Sequence, residues 1–235
     1  MSVWSARRFW TTASAVPVEG GYTVHLDGRP VRTPLKAPLI LPTMGLAEAV
    51  AAEWQAQDGK VRPETMPFTR TANSAIDKVA AQQAEVVDML AAYGDSDLLC
   101  YRAEGPADLV ARQAAGWDPL LDWAAKALHA PLVATAGVIH IEQPGESLEA
   151  LHAQVAALTP FQLSAFHDLV AISGSLILAL AVTQGRLTAE EAWSLSRIDE
   201  DWQISLWGED EEAAENASLK REAFLQADRF YGLCG

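Results

Sequence analysis

The spacing of apolar residues changes period along the first third of the chain. Tyr22, Val24 and Leu26 alternate with Thr23 and His25, a period of two that predicts a strand. Asp27-Gly28 follows. A two-residue Asp-Gly link takes positive φ at both positions, so the chain is expected to turn back over residues 29–32. Pro30 and Pro34 lack an amide proton and place that return at a sheet edge. Residues 37–41 read as a third strand, closed by Pro42. The period then becomes helical: Thr43 suits an N-cap, and Leu46, Val50 and Trp54 recur every four residues until Asp58-Gly59. Two further helices are expected over 68–79 and 82–93, and 97–102 (DLLCYR) reads as a short strand positioned to rejoin the sheet.

Glu104-Gly105-Pro106 marks a boundary, and helical spacing dominates after it, except over 132–141. Val110, Trp117, Leu121 and Leu128 form one stripe, with Asp118-Pro119 expected to restart the helix midway. Leu148, Leu151, Val155 and Leu158 form another, and Thr159-Pro160 opens the next. Residues 169–182 are almost wholly apolar but are interrupted by Ser173-Gly174-Ser175; they read as a buried helix pair ended by Gly185. Thr188-x-x-Glu191 is a capping box. It opens a helix expected to turn Leu195, Ile198, Trp202 and Leu206 inward and to end at Gly208. A last helix places Ala217, Phe224, Ala227 and Tyr231 on one face. The expected fold is α+β: an antiparallel-sheet domain with helices over 1–104, then an all-α helical bundle over 105–235.

The net charge of −14 opposes binding to nucleic-acid phosphates or anionic lipid. The first ten residues lack the apolar core of a signal peptide. The stretch 169–182 falls short of the roughly 20 residues of a membrane span, so no membrane insertion is expected. Cys100 and Cys234 stand far apart with no CxxC pairing, which argues against a disulfide framework or a zinc cluster.

No phosphate-binding GxxxxGK[ST], dinucleotide GxGxxG or nucleophile-elbow GxSxG occurs, and no cofactor is expected. His167-Asp168 is the type of pair metal phosphohydrolases use, and His140-x-Glu142 would add donors. No two of the five histidines share helical i, i+3 or i, i+4 spacing, however, so a metal site is not expected. A metal-dependent hydrolase using His167 and Asp168 stands as the competing class.

Charge is concentrated near the C-terminus. Between Glu190 and Glu215 ten acids face one base, Arg197, which accounts for nine of the fourteen excess negative charges. Helix dipoles explain acids in first turns, but not the interleaved Trp202 and Trp207. Trp202 fits a core position; Trp207 fits either core or an exposed anchor. Aromatic side chains among acids suit a docking face for a partly basic, partly apolar polypeptide.

Eight segments in order resemble one known family: RRFW (7–10), VHLDGRPVRTP (24–34), AAEWQAQ (51–57), TMPFTRTANSAIDKV (65–79), SDLLCYRA (96–103), WDPLLDWA (117–124), SGSLILALA (173–181) and LSRIDEDWQISLWGED (195–210). They resemble the mitochondrial F1 complex assembly factor 2 family of ATP synthase and its bacterial relatives. The resemblance implies an ATP-independent chaperone, without catalysis, that holds the free α subunit until it pairs with β. It further implies a bacterial cytoplasmic member, the eukaryotic relatives acting in the mitochondrial matrix. A constitutive subunit of a larger complex is the third reading. On the motif, contact with the α subunit is expected at Glu200, Asp201 and Trp202, and at Trp207, Glu209, Asp210 and Glu211. Trp54, Arg70 and Asn73 form a second expected patch.

Overall fold

The computed structural model describes residues 7–235; the reading of the first ten residues falls mostly on 1–6, outside those described. The chain forms two compact units. One comprises the chain up to Gln83 with 159–165 and 229–235, and the other comprises 84–158 and 166–228. The sequence-based boundary after residue 104 differs from this grouping. Residues 84–104 are bound into the helical unit, where Gly94 lies against Leu148, Leu151 and Leu176 and Asp97 bonds to Ser175 and Ile177.

In the first unit, β1 (Ala13–Val18), β2 (Gly21–Leu26) and β3 (Arg29–Pro30) form an antiparallel sheet in that order. The Asp-Gly hairpin is present, with φ of 47° at Asp27 and 82° at Gly28. The Asp27 carboxylate also accepts the amides of Thr11 and Thr12, which ties the entering chain to the turn. Strand β1 had no pattern to announce it: its small residues and Pro17 pair with β2 through backbone alone, from Ala13 opposite Leu26 to Val18 opposite Gly21. Residues 37–41 are not a strand. Lys36 takes a left-handed φ of 68°, and only the bridges Arg32–Pro38 and Tyr22–Leu41 remain.

Helix α1 (Met44–Gln55) starts where Thr43 accepts the Leu46 amide. It buries Leu46, Ala47, Val50 and Ala51 against Val24, Leu26, Leu39 and Leu41. Each such Leu or Val contributes about 1.5–3 kcal/mol by leaving water. Helix α2 (Pro67–Asp77) is anchored to α1 by Glu53, whose carboxylate accepts the amides of Phe68 (2.7 Å) and Thr69 (2.8 Å) and the Thr69 hydroxyl (2.7 Å). The C-terminal residues close this core, with Phe230 stacked 6.0 Å from Phe68 and Cys234 buried.

The second unit contains α3 (Gln83–Ala91), β4 (Tyr101–Arg102), α4 (Ala107–Ala127), β5 (Thr135–Ala136), α5 (Gly145–Ala156), most of α6 (Pro160–Ser173), α7 (Leu176–Thr183), α8 (Ala189–Ser196), α9 (Ile198–Trp207) and most of α10 (Glu211–Gly232). Residues 97–102 do not rejoin the N-terminal sheet: they form a 3-10 turn, and β4 then pairs parallel with β5. The region after residue 105, expected to be all-α, is therefore interrupted by the non-helical stretch 128–144 that carries β5. Helix α4 runs through Pro119 without restarting. Pro119 and Ala115 are both exposed, so the carbonyl that loses its intrahelical donor meets water. Helix α7 is buried from Leu176 to Val182, as the apolar run predicts.

Candidate functional site

The acidic, tryptophan-bearing stretch does not form the single helix expected. Thr188 and Glu191 make the capping box of α8, but the helix ends at Arg197 (φ −112°, ψ 13°) and α9 starts afresh. Packing explains the start of this corner. A Cβ on Gly116 of α4 would come within 2.8 Å of a Leu195 methyl and 2.9 Å of an Ile198 methyl, so a larger residue there would push the tips of both side chains aside. Trp117 Nε1 donates to the Leu195 carbonyl at 2.9 Å. Buried Gln113 donates to Asp199 at 2.6 Å, which gives one acid of the run a structural partner.

Beyond that seam α9 leaves the core and holds no fully buried residue. Glu200 and Asp201 are exposed in its first turn, favoured there by the helix dipole, and Asp201 lies 3.6 Å from Arg197. Trp202 is half-buried beneath the Arg112 guanidinium, 5.1 Å from the ring centre. Leu206 was expected inward but is 55 % exposed, and Trp207 is 78 % exposed. Gly208, with φ of 85°, ends the helix. Asp210 then accepts the Ala213 amide at 2.9 Å and caps α10; Glu209 and Glu211 stand in solvent.

Helices α9 and α10 flank a cleft of about 430 Å3. The cleft brings together Glu200, Trp207, Glu209 and Asp210, with Lys220 on α10 as a basic wall residue; Asp201, Trp202 and Glu211 lie outside its lining. Leu219 of α10 is also 62 % exposed, and sequence periodicity offered no sign of it.

Trp54, Arg70 and Asn73 all line one groove of about 1150 Å3 in the first unit. Trp54 packs edge-on against Trp10 at 5.3 Å. The Trp54 indole nitrogen and the Asn73 side-chain oxygen are both buried without a hydrogen-bond partner. Arg70 lies near enough to Glu53 to oppose the rise in its pKa that burial causes. Sequence reasoning missed Lys60, Arg62 and Lys78, which line the same groove, because isolated surface cations have no spacing signature.

The remaining titratable groups have structural surroundings. Asp97 is completely buried, and its carboxylate accepts from the amides of Leu99 (3.0 Å) and Ile177 (3.0 Å) and from the Ser175 hydroxyl (2.8 Å). Burial raises its pKa from 3.8 to about 6, although those donors oppose the rise. Burial likewise pushes the Cys100 and Cys234 thiols up to about 12, which leaves them protonated and unreactive. His167 Nδ1 is 2.9 Å from its own neighbour Asp168, and that hydrogen bond raises the histidine pKa. His152 pairs with Asp88 and His140 with Asp95. Among the described residues no three His, Cys, Asp or Glu side chains converge as a metal site would require. No helix among them is long and apolar enough to cross a membrane.

Comparison with known proteins places this architecture. The family model described as ATP12 chaperone protein matches residues 7–125. The mitochondrial protein atp12 of Schizosaccharomyces pombe is 29% identical over 234 residues, covering 93% of this chain and 80% of that one. The crystal structure of Atp12 from Paracoccus denitrificans is 53% identical, covers 98% of this chain and 99% of its own, and superposes with a TM-score of 0.95. A protein from Agrobacterium tumefaciens is 43% identical, covers 97% and 85%, and superposes with a TM-score of 0.91. The match extends from Arg7 through the hairpin, the α1–α2 pair and most of α4, and the chain belongs to the ATP12 chaperone family.

Proposed function

We propose that this chain is an ATP-independent assembly chaperone that holds the free α subunit of the ATP synthase F1 sector until it pairs with β. It acts by covering an apolar surface, with no chemical step of its own. Trp207 is the observation that carries this reading. A tryptophan 78 % exposed, on a helix with no buried residue and between acids that line the same cleft, contributes little to the fold. It suits an anchor that becomes buried in a partner. Glu200 and Glu209 beside it would pair with basic groups at the rim of the partner's apolar patch, speeding encounter and fixing register. Membership of a chaperone family supports a polypeptide client.

The test is light scattering of aggregation-prone free α subunit, without ATP, at increasing amounts of this protein. Suppression near equimolar protein is expected. Undiminished scattering at several-fold excess contradicts the reading, as does co-purification only with the finished synthase.

A further inference from the structure

The groove in the first unit carries a charge opposite to that of the protein. The whole chain is at −14, yet five cations line the groove, Arg32, Lys60, Arg62, Arg70 and Lys78, against two acids, Glu64 and Asp77. One of the two acids is already engaged: the Asp77 carboxylate accepts the Thr33 hydroxyl at 2.6 Å and the Leu35 amide at 3.1 Å. The five cations are all exposed, and among the described residues none takes part in an ion pair. The walls between them are apolar. Pro34, Val61 and Pro63 contribute, together with buried Met66 and with Leu35, which is 71 % exposed.

We propose that this groove binds an extended, acidic segment of a polypeptide, its carboxylates on the cations and an apolar side chain against Leu35 and Val61. Charge complementarity selects the occupant. A cationic recess on a strongly anionic protein attracts acidic chain while the rest of the surface repels it. The groove residues also include a donor, Trp54 Nε1, and an acceptor, Asn73 Oδ1, that are buried without a partner. An extended backbone keeps its own C=O and N–H free for the polar rim of such a groove; a helix, whose groups are already paired, does not. Taken with the proposed client, on which this inference rests only for the identity of the partner, the chaperone would hold acidic chain here and a basic, apolar face at the α9–α10 cleft.

The experiment is fluorescence anisotropy of labelled twelve-residue peptides titrated with the full chain. One peptide is rich in Glu and Asp with a central Leu and Phe, one has Lys in place of the acids, and one has Ser. The acidic peptide is expected to bind and the Lys peptide not, with affinity falling as salt rises. The double variant Arg62→Glu with Lys78→Glu, at exposed positions, should weaken the acidic peptide about tenfold or more, whereas the charge-keeping pair Arg62→Lys with Lys78→Arg should bind it as the wild type does. Glu209→Lys should leave peptide binding unchanged, so failure here is separable from failure of α-subunit holding. Equal binding of all three peptides, or affinity untouched by the groove variants, overturns the proposal. So does sedimentation showing that the groove variants instead abolish self-association of this chain.

Discussion

The acidic corner at α9–α10 and the basic groove beside α2 both display charge, but they stand on different foundations. Helix α9 holds no buried residue, and its exposed acids belong to no core. The groove wall formed by α2 is fastened from below by Glu53, a carboxylate half withdrawn from water that accepts three hydrogen bonds from Phe68 and Thr69. Asp97 extends the contrast inside the helical unit: it is a carboxylate with no solvent contact, and it fixes the start of α7. The same chemical group is structural where it has donors around it and available where it does not. Charge at the exposed acids of α9, Glu200 and Asp201, can therefore be changed with little loss of stability, unlike Asp199, which holds buried Gln113, and unlike the charge beneath α2.

The largest expected effect is at Asp97. Asp97→Ala leaves the Leu99 and Ile177 amides and the Ser175 hydroxyl without an acceptor, costing about 3 kcal/mol or more in chemical denaturation at neutral pH. Its pKa of about 6 exceeds the unfolded value, so the folded state holds the proton more tightly. The stabilising contribution is full below pH 3.8 and is lost as pH rises through about 6. The stability difference between wild type and Asp97→Ala should therefore widen by about 2 kcal/mol between pH 7 and pH 4. A constant difference would mean that the site keeps its carboxylate ionised throughout.

Next is Glu53→Ala, expected to cost about 2 kcal/mol by removing the acceptor at the start of α2, and to weaken peptide binding in the groove with it. Unchanged stability would show that the groove wall stands without this anchor. The smallest effect divides the acidic run itself. Asp210→Ala removes the cap on Ala213 and should cost about 1 kcal/mol, whereas Glu209→Ala, one residue earlier, should stay within about 0.5 kcal/mol. Equal costs would remove the distinction between a capping acid and a free one.

This distinction sets what could be read from sequence. The Asp27-Gly28 hairpin, the Thr43 cap, the Thr188–Glu191 capping box and the buried run ending at Val182 are local, with pattern and cause within a few residues. Strand β1 was not legible because Pro17 and small side chains leave only backbone pairing. The unbroken path of α4 through Pro119 depends on that face meeting water, and the break at Arg197 depends on Gly116 admitting Leu195 and Ile198. These are properties of the packed unit. At the sites, the acid–tryptophan pattern pointed to the α9–α10 corner but left Trp207 undecided between core and surface. Its periodicity would have put Leu206 inside, since a helix continued from α8 would have carried it there. Trp54, Arg70 and Asn73 were visible as a motif, but the cations sharing their groove come from separate segments that only folding brings together.

On the function proposed here, the exposed end of α9, with Trp207 and Glu209, docks the α subunit while contributing little to the fold. The most direct test is the affinity of free F1 α subunit for wild type and for Trp207→Ala with Glu209→Lys, measured by titration calorimetry beside the thermal midpoints. An affinity loss of about tenfold or more is expected, with stability changed by less than about 0.5 kcal/mol. Unchanged affinity at unchanged stability would contradict it.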